Sequence, residues 1–174
     1  PATGDDVFTR RREQREEIFL EKLAQTTSAE AAKGCREFLA SCESMGIERT
    51  GKGATVGLYW VEPNSGERFT FGSIYAETGW IEVNYVPEYF HKHGVDSAIA
   101  SKYLHSLAAL VPGATIISTV KGGKNWVRIL RNGYAITFPE LLPRIDGWLS
   151  AIQIAMQEAE AASAAKIGQQ SGLP

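Results

Sequence analysis

Three short segments between residues 56 and 86 alternate apolar and polar side chains, which is the spacing of β-strands that bury one face. The apolar positions are Val56, Leu58 and Trp60, then Phe69, Phe71 and Tyr75, then Ile81, Val83 and Tyr85. Pro63-Asn64-Ser65-Gly66 and Glu77-Thr78-Gly79 supply turn residues between them. The pattern predicts an antiparallel three-stranded meander with one apolar face, which helices must cover for the sheet to be stable.

Helical periodicity flanks this meander on both sides. A first helix is predicted from a cap at Asp5 or Asp6 to about Gln25, with apolar contacts only towards its C-terminal half. In residues 29–44 apolar residues recur at helical spacing, and Ser28 is placed to cap this second helix. A central helix is predicted at 98–110 and a C-terminal helix from residue 139 onward. The sequence therefore predicts an N-terminal helix pair, and a central and a C-terminal helix that cover the sheet.

Two further strands follow the central helix. Residues 114–120 are rich in β-branched side chains and are predicted to form one strand, and residues 126–130 are predicted to form the other. Asn132-Gly133 marks a tight turn after them. The pattern leaves open whether these strands extend the meander or form a separate wing. Residues 48–54 and 87–94 read as connections. The predicted fold class is α+β, with a three-stranded meander plus two further strands.

The length of 174 residues suits one domain that can bury a substantial core. We predict a single α+β domain over residues 1–160. Within it, residues 1–46 form a helical hairpin, 47–139 a sheet with an inserted helix, and 140–160 the terminal helix. The alanine-rich segment 161–174 is predicted to be a flexible tail.

Charge is distributed unevenly along the chain. The net charge of −2 by itself indicates neither a nucleic-acid nor a membrane partner. Residues 97–139, however, contain no Asp or Glu and carry a charge of +5, while the remainder carries −7. The basic side chains of this segment are Lys102, Lys121, Lys124, Arg128 and Arg131. This asymmetry makes the segment the first place to look for an anionic partner.

Cysteine usage and hydropathy indicate a cytoplasmic protein. Cys35 and Cys42 lie about two turns apart on one predicted helix, roughly 10 Å, which is too far for a disulfide. Free thiols fit a reducing compartment. No apolar run approaches the ~20 residues of a membrane span, so no membrane partner is predicted.

The most coherent polar group surrounds the Gly-Gly loop between the last two strands. It consists of Lys121, Gly122, Gly123, Lys124, Asn125, Trp126, Arg128 and Arg131. Loop amides can face a phosphate, Trp126 can stack on a base, and Arg128 follows on the same strand face. We predict non-catalytic nucleic-acid binding through these residues, without strong base readout. The alternative is that Trp126 is core and the cations only solubilise a wing.

Other candidate chemistries are weaker. A metal-dependent nuclease would need Glu82 or Glu77 to approach either another carboxylate or the pair His91 and His93, but Asn84 stands where the catalytic lysine would be. No nucleophile elbow occurs, and we predict no catalytic residue, no metal ligand and no cofactor. In segment 10–17, RRREQREE, the three consecutive arginines Arg10–Arg12 could contact phosphate, but the acidic residues that follow offset them.

A third hypothesis is a protein-interaction or dimerisation module of a larger bacterial system. Its contact surface would use the aromatic side chains of Tyr59, Tyr89 and Trp80.

The order of these segments carries a resemblance to known domains. FTFGSIYAETGWIEVNYV, then a helix, then KGGKNWVRILRNG before a terminal helix, resembles bacterial MmcQ/YjbR-type double-wing domains over residues 50–155. The chain is also similar to uncharacterised domains that accompany bacterial restriction and defence proteins. The resemblance implies an accessory role and DNA binding, with DNA favoured over RNA. The N-terminal helix pair departs from the compact form of that family.

Overall fold

The computed structural model describes residues 4–51, 53–121 and 124–171, and the α+β class is confirmed. These residues form six α-helices and seven strands, which follow each other in groups. In chain order they are α1 (Gly4–Thr26), α2 (Ala29–Ser44), β1 (Glu48–Gly51), β2 (Thr55–Val61), β3 (Arg68–Tyr75), β4 (Ile81–Glu82), α3 (Val86–Lys92), α4 (Ser97–Ala109), β5 (Thr115–Lys121), β6 (Lys124–Arg131), β7 (Tyr134–Ala135), α5 (Phe138–Leu141) and α6 (Ile145–Ser171).

The N-terminal helix pair is confirmed, and its second helix begins at the predicted cap. The Ser28 hydroxyl accepts a hydrogen bond from the Ala31 amide at 3.0 Å, which satisfies one of the free donors of the first turn. The apolar residues of α2, including Phe38, are buried. The Phe38 ring stacks on Trp148 of α6, with centroids 4.4 Å apart. The pair is therefore built into the core.

The first sheet has four antiparallel strands in the order β1-β2-β3-β4. β1 occupies part of the segment that was predicted to be a connection. It pairs in regular register with β2, from Glu48 opposite Tyr59 to Gly51 opposite Val56. Four residues with little apolar character give a weak strand signal in the sequence, so only pairing with β2 reveals this strand.

A β-bulge in β3 changes which side chains face the core. Leu58 pairs with Gly72 and Tyr59 with Thr70, so Phe71 is an extra residue on β3. Beyond the bulge the alternation is reversed: Ile74 is fully buried and Tyr75 is 37 % exposed. The prediction that Tyr75 lies on the apolar face is therefore wrong. The same holds for Tyr85, which lies beyond the short strand β4 and is 43 % exposed.

The bulge leaves one carbonyl without a strand partner, and a buried tyrosine hydroxyl satisfies it. Tyr103 of α4 donates its hydroxyl proton to the Phe71 carbonyl at 2.6 Å. The same hydroxyl accepts a hydrogen bond from Trp148 Nε1 at 2.9 Å. Burial raises the pKa of Tyr103 well above its ordinary value, so the hydroxyl stays protonated and can donate. This network ties β3 to both covering helices.

The second sheet contains three strands in the order β5-β6-β7 and is joined to the first at β4. Trp80 forms a β-bridge with Thr137, and the Ile81 amide donates to the Ile136 carbonyl at 2.9 Å. The Ile136 amide in turn donates to the Ile129 carbonyl at 3.1 Å. The question that the sequence left open is thus resolved: the later strands form their own sheet, which continues from the edge of the meander.

Two helical segments differ from expectation. Residues 86–92, within the predicted connection, form α3, because Pro87 suits a first helical turn and Phe90 is buried against Phe69. α6 continues past residue 160 to Ser171, where a flexible tail was predicted. Alanine favours helix intrinsically, and the buried Ala159 and Ser163 hold this extension against the protein.

None of the described helices is long and apolar enough to cross a membrane. Cys35 and Cys42 are both buried free thiols. Burial raises the pKa of Cys42 to about 12, so its thiol is protonated at neutral pH.

Candidate nucleic-acid interface

The strand side chains that line two neighbouring hollows form what we call the outer face: Tyr59, Ser73, Tyr75, Glu82, Trp126 and Arg128. Strand alternation and the β3 bulge together place them there, since Leu58, Ile74, Ile81 and Val127 face the core. Two neighbouring hollows open on this face and share Tyr75 and Glu82 in their walls. The outer face is therefore a continuous surface across both sheets.

Trp126 and Arg128 lie together in the larger of these hollows, as the sequence predicted for them. The hollow encloses about 450 Å³, and Tyr75 and Trp80 also line it. The Trp126 ring contacts the Tyr85 ring at its rim, with centroids 5.6 Å apart. Arg128 is exposed and forms no ion pair with any residue of the described chain. An indole and an unpaired guanidinium thus border the same opening.

Arg131 lies apart from this group. It is an odd number of residues from Trp126 on a regular strand, so its side chain leaves the opposite face. Its Nε is 2.7 Å from Glu140 Oε1 of α5, which makes it part of an ion pair. Of the other predicted residues, Gly122 and Gly123 lie outside the described residues. For Lys121, Lys124 and Asn125 the structure describes only the backbone, in β5 and β6.

Two carboxylates border the hollow, and both have partners. Glu82 accepts hydrogen bonds from the Tyr75 hydroxyl and from Asn84 Nδ2, the latter at 2.8 Å. The hydrogen bond to Glu82, and secondarily burial, raises the pKa of Tyr75 to about 12. Glu77 pairs with Lys22 of α1. The hollow therefore combines the unpaired Arg128 guanidinium with Glu82, a carboxylate whose hydrogen-bond partners carry no positive charge.

The residues proposed for a metal-dependent nuclease do not meet. His93 Nδ1 is 2.7 Å from Glu67 Oε2, and its ring packs against Phe69. His91 is exposed on α3. Within the described ranges, no three His, Cys, Asp or Glu side chains are grouped as metal ligands. Glu82 and Glu77 instead have the hydrogen-bonding and ionic roles given above.

The three aromatic residues considered for a protein-interaction surface are also separated. Tyr59 and Tyr89 pack against each other with centroids 6.4 Å apart, and both are half-buried. The Arg68 guanidinium covers the Tyr59 ring at 4.1 Å. Only Trp80 of these three, which is 42 % exposed, presents a large free surface. These side chains do not form one exposed aromatic patch.

Tyr75 and Tyr85 are exposed and line one of the two hollows, but the sequence assigned both to the core. A strict two-residue alternation predicts them inward, and the bulge and the end of β4 turn them outward. The signal that was available is Gly72, since a glycine inside a strand often marks a bulge.

Comparisons with known proteins add no relative to this geometry. No family model matches the chain, and neither a curated protein nor a solved structure matches it.

Proposed function

We propose that this chain is a cytoplasmic, non-catalytic domain that binds single-stranded nucleic acid on its outer face, with DNA favoured by the resemblance of the sequence. The observation that carries the proposal is the hollow in which Trp126, the unpaired Arg128 and the exposed Trp80 meet. Aromatic rings on an open sheet can stack with unpaired bases, and a guanidinium beside them can hold a phosphate.

The preference for a single strand follows from the rings. Trp80, Tyr85 and Tyr75 are 42 %, 43 % and 37 % exposed, so their faces and edges are accessible to a base that has left its helix. Bases in a duplex are stacked on each other, so their faces are not accessible to these aromatic rings. The phosphate contacts are assigned to Arg128 and, from the sequence, to Lys121 and Lys124.

Trp126→Ala is expected to weaken binding of a labelled 12-nucleotide DNA strand by about 5- to 160-fold, because stacking on an aromatic ring contributes about 1–3 kcal/mol per base. Arg128→Gln is expected to reduce the slope of log affinity against log salt by about 0.7, since one phosphate contact is lost. Fluorescence anisotropy over a salt series measures both. Trp126→Phe, which keeps a ring, should restore most of the affinity.

Arg131→Gln is the matched control for this experiment, because it removes the same charge from the same strand on the opposite face. It should leave affinity within about twofold of the parent. Equal losses from Arg128→Gln and Arg131→Gln would mean that only net charge matters. Binding of the duplex as tightly as of the single strand would contradict the stacking mode.

Glu82→Gln is expected to tighten strand binding by about two- to fivefold at low salt, the size of an exposed charge interaction. The change removes the negative charge of Glu82 but keeps one oxygen to accept from Asn84 Nδ2, while the new amide nitrogen can donate to the Tyr75 hydroxyl oxygen. Glu160→Gln on α6 alters net charge equally and should have no such effect. Anisotropy at low and high salt checks the result, and a gain that persists at high salt would contradict the electrostatic reason.

A further inference from the structure

A second cleft lies between α1 and the β1–β2 hairpin, at the other end of the outer face. It encloses about 710 Å³, within the range of small-molecule sites. Its charged lining consists of four arginines, Arg11, Arg12, Arg15 and Arg49, and one carboxylate, Glu16. Its floor carries the hydroxyl groups of Thr50, Thr55, Tyr59 and Ser73. A basic wall above a hydroxyl-rich floor suits an anionic, polar ligand.

A salt-bridge network neutralises two of the four arginines. Arg49 Nη1 binds both carboxylate oxygens of Glu16, at 2.8 and 2.7 Å, and its Nη2 is 2.7 Å from Glu43. Arg12 pairs with the same Glu43 at 3.1 Å. Two guanidinium groups are thus matched by two carboxylates. This network fixes α1 against α2 and β1, and it leaves the cleft wall in a defined position.

The other two arginines, Arg11 and Arg15, have no counter-charge among the described residues. Neither forms an ion pair with any residue in that part of the chain, and both are exposed. They lie four residues apart on α1, so the two positive side chains are neighbours on one helix face and repel each other. A bound dianion would remove that repulsion and accept hydrogen bonds from both guanidinium groups.

The sequence suggested that the acidic residues after Arg10–Arg12 offset these charges, but in the fold Glu16 and Glu17 pair with arginines of other elements. Glu16 pairs with Arg49, and Glu17 with Arg36 of α2, while the third acidic residue, Glu13, is exposed and forms no ion pair with any described residue. At Gly57 the floor is covered by the Tyr59 ring, since a β-carbon added to this glycine would lie 2.7 Å from Tyr59 Cε2.

We propose that this cleft binds a small organic phosphate, with Arg11 and Arg15 holding the phosphate and the hydroxyl-bearing floor facing the rest of the ligand. The volume of the cleft exceeds what a phosphate ion alone would fill, which is why the ligand is organic. The site shares no lining residue with the Trp126 hollow and does not rest on the proposed function.

Isothermal titration calorimetry of the full chain at low salt tests this site with three probes: AMP, inorganic phosphate and adenosine. AMP is expected to bind saturably, phosphate more weakly, and adenosine not at all. The double variant Arg11→Gln with Arg15→Gln should lower AMP affinity by about tenfold or more, because two charge-assisted contacts are lost. Thermal unfolding of the double variant checks that it is folded.

Arg10→Gln is the matched control, since Arg10 lies on the same helix and is exposed but does not line the cleft. Its AMP affinity should stay within about twofold. Arg128→Gln should also leave AMP binding unchanged, which separates this site from the nucleic-acid interface. The proposal is overturned if AMP does not bind, if adenosine binds equally, or if Arg10→Gln weakens AMP as much as the double variant. Inorganic phosphate binding as tightly as AMP would overturn the organic part of the assignment.

Discussion

Gly72→Ala is expected to lower the free energy of unfolding by about 3–5 kcal/mol, the combined size of a strained backbone conformation and a steric overlap. Gly72 has φ of +115°, where an L side chain is strained. A β-carbon there would also lie 2.7 Å from the backbone carbonyl oxygen of Glu82. Because the obstacle is backbone rather than a mobile side chain, β4 would have to move away from β3.

Urea denaturation of the parent and variant measures this loss. Gly113→Ala supplies the matched control, because Gly113 also has a positive φ, of +81°, but a β-carbon added there would meet no atom within 4 Å. That variant should cost only about 1–2 kcal/mol. A loss for Gly72→Ala no larger than for Gly113→Ala would show that the close approach of β4 does not constrain the bulge. Gly72→Ala should also weaken the binding of single-stranded DNA, since Tyr75 and Glu82 flank the pairing of β3 with β4.

Tyr103→Phe is expected to destabilise the protein by about 2–3 kcal/mol. The substitution barely changes volume, but it leaves the Phe71 carbonyl and Trp148 Nε1 without the hydroxyl that serves both. A buried polar group that loses its partner costs about 1–3 kcal/mol. All three residues are buried, so water does not readily replace the hydroxyl.

Tyr134→Phe is the control for this measurement, because Tyr134 is 72 % exposed and its hydroxyl is available to solvent. Its stability should change by no more than about 0.5 kcal/mol. If Tyr103→Phe were equally mild, the carbonyl freed by the bulge would not depend on the covering helices. The expected result would instead make α4 and α6 contributors to the shape of the outer face.

Much of the architecture follows from local patterns. The cap at Ser28 and the extent of α2 were predicted to the residue, because side-chain capping and helical periodicity act within one or two turns. The two hairpin turns were also predicted. Gly66 and Gly79 adopt positive φ, and their amides close the turns onto Glu62 and Tyr75. These interactions join residues close in sequence, so the sequence displays them directly.

The candidate interface was only partly predictable. The sequence paired Trp126 with Arg128, since strand alternation puts residues i and i+2 on one face. It grouped Arg131 with them by proximity along the chain, whereas Arg131 pairs with Glu140 on the other side. It also assigned Tyr75 and Tyr85 to the core. The contribution of Lys121, Lys124 and Asn125 to nucleic-acid binding remains a prediction.

Sequence by itself determined the N-terminal helix pair, the central helix, the two hairpin turns and the apolar face of β2, because those depend on short-range periodicity and turn chemistry. Tertiary structure decided the rest: the bulge that turns Tyr75 outward, and the distribution of carboxylates that leaves Arg11, Arg15 and Arg128 without ionic partners among the described residues. Bulges and ion pairs depend on groups that are distant along the chain and adjacent in space, and no local pattern records that adjacency.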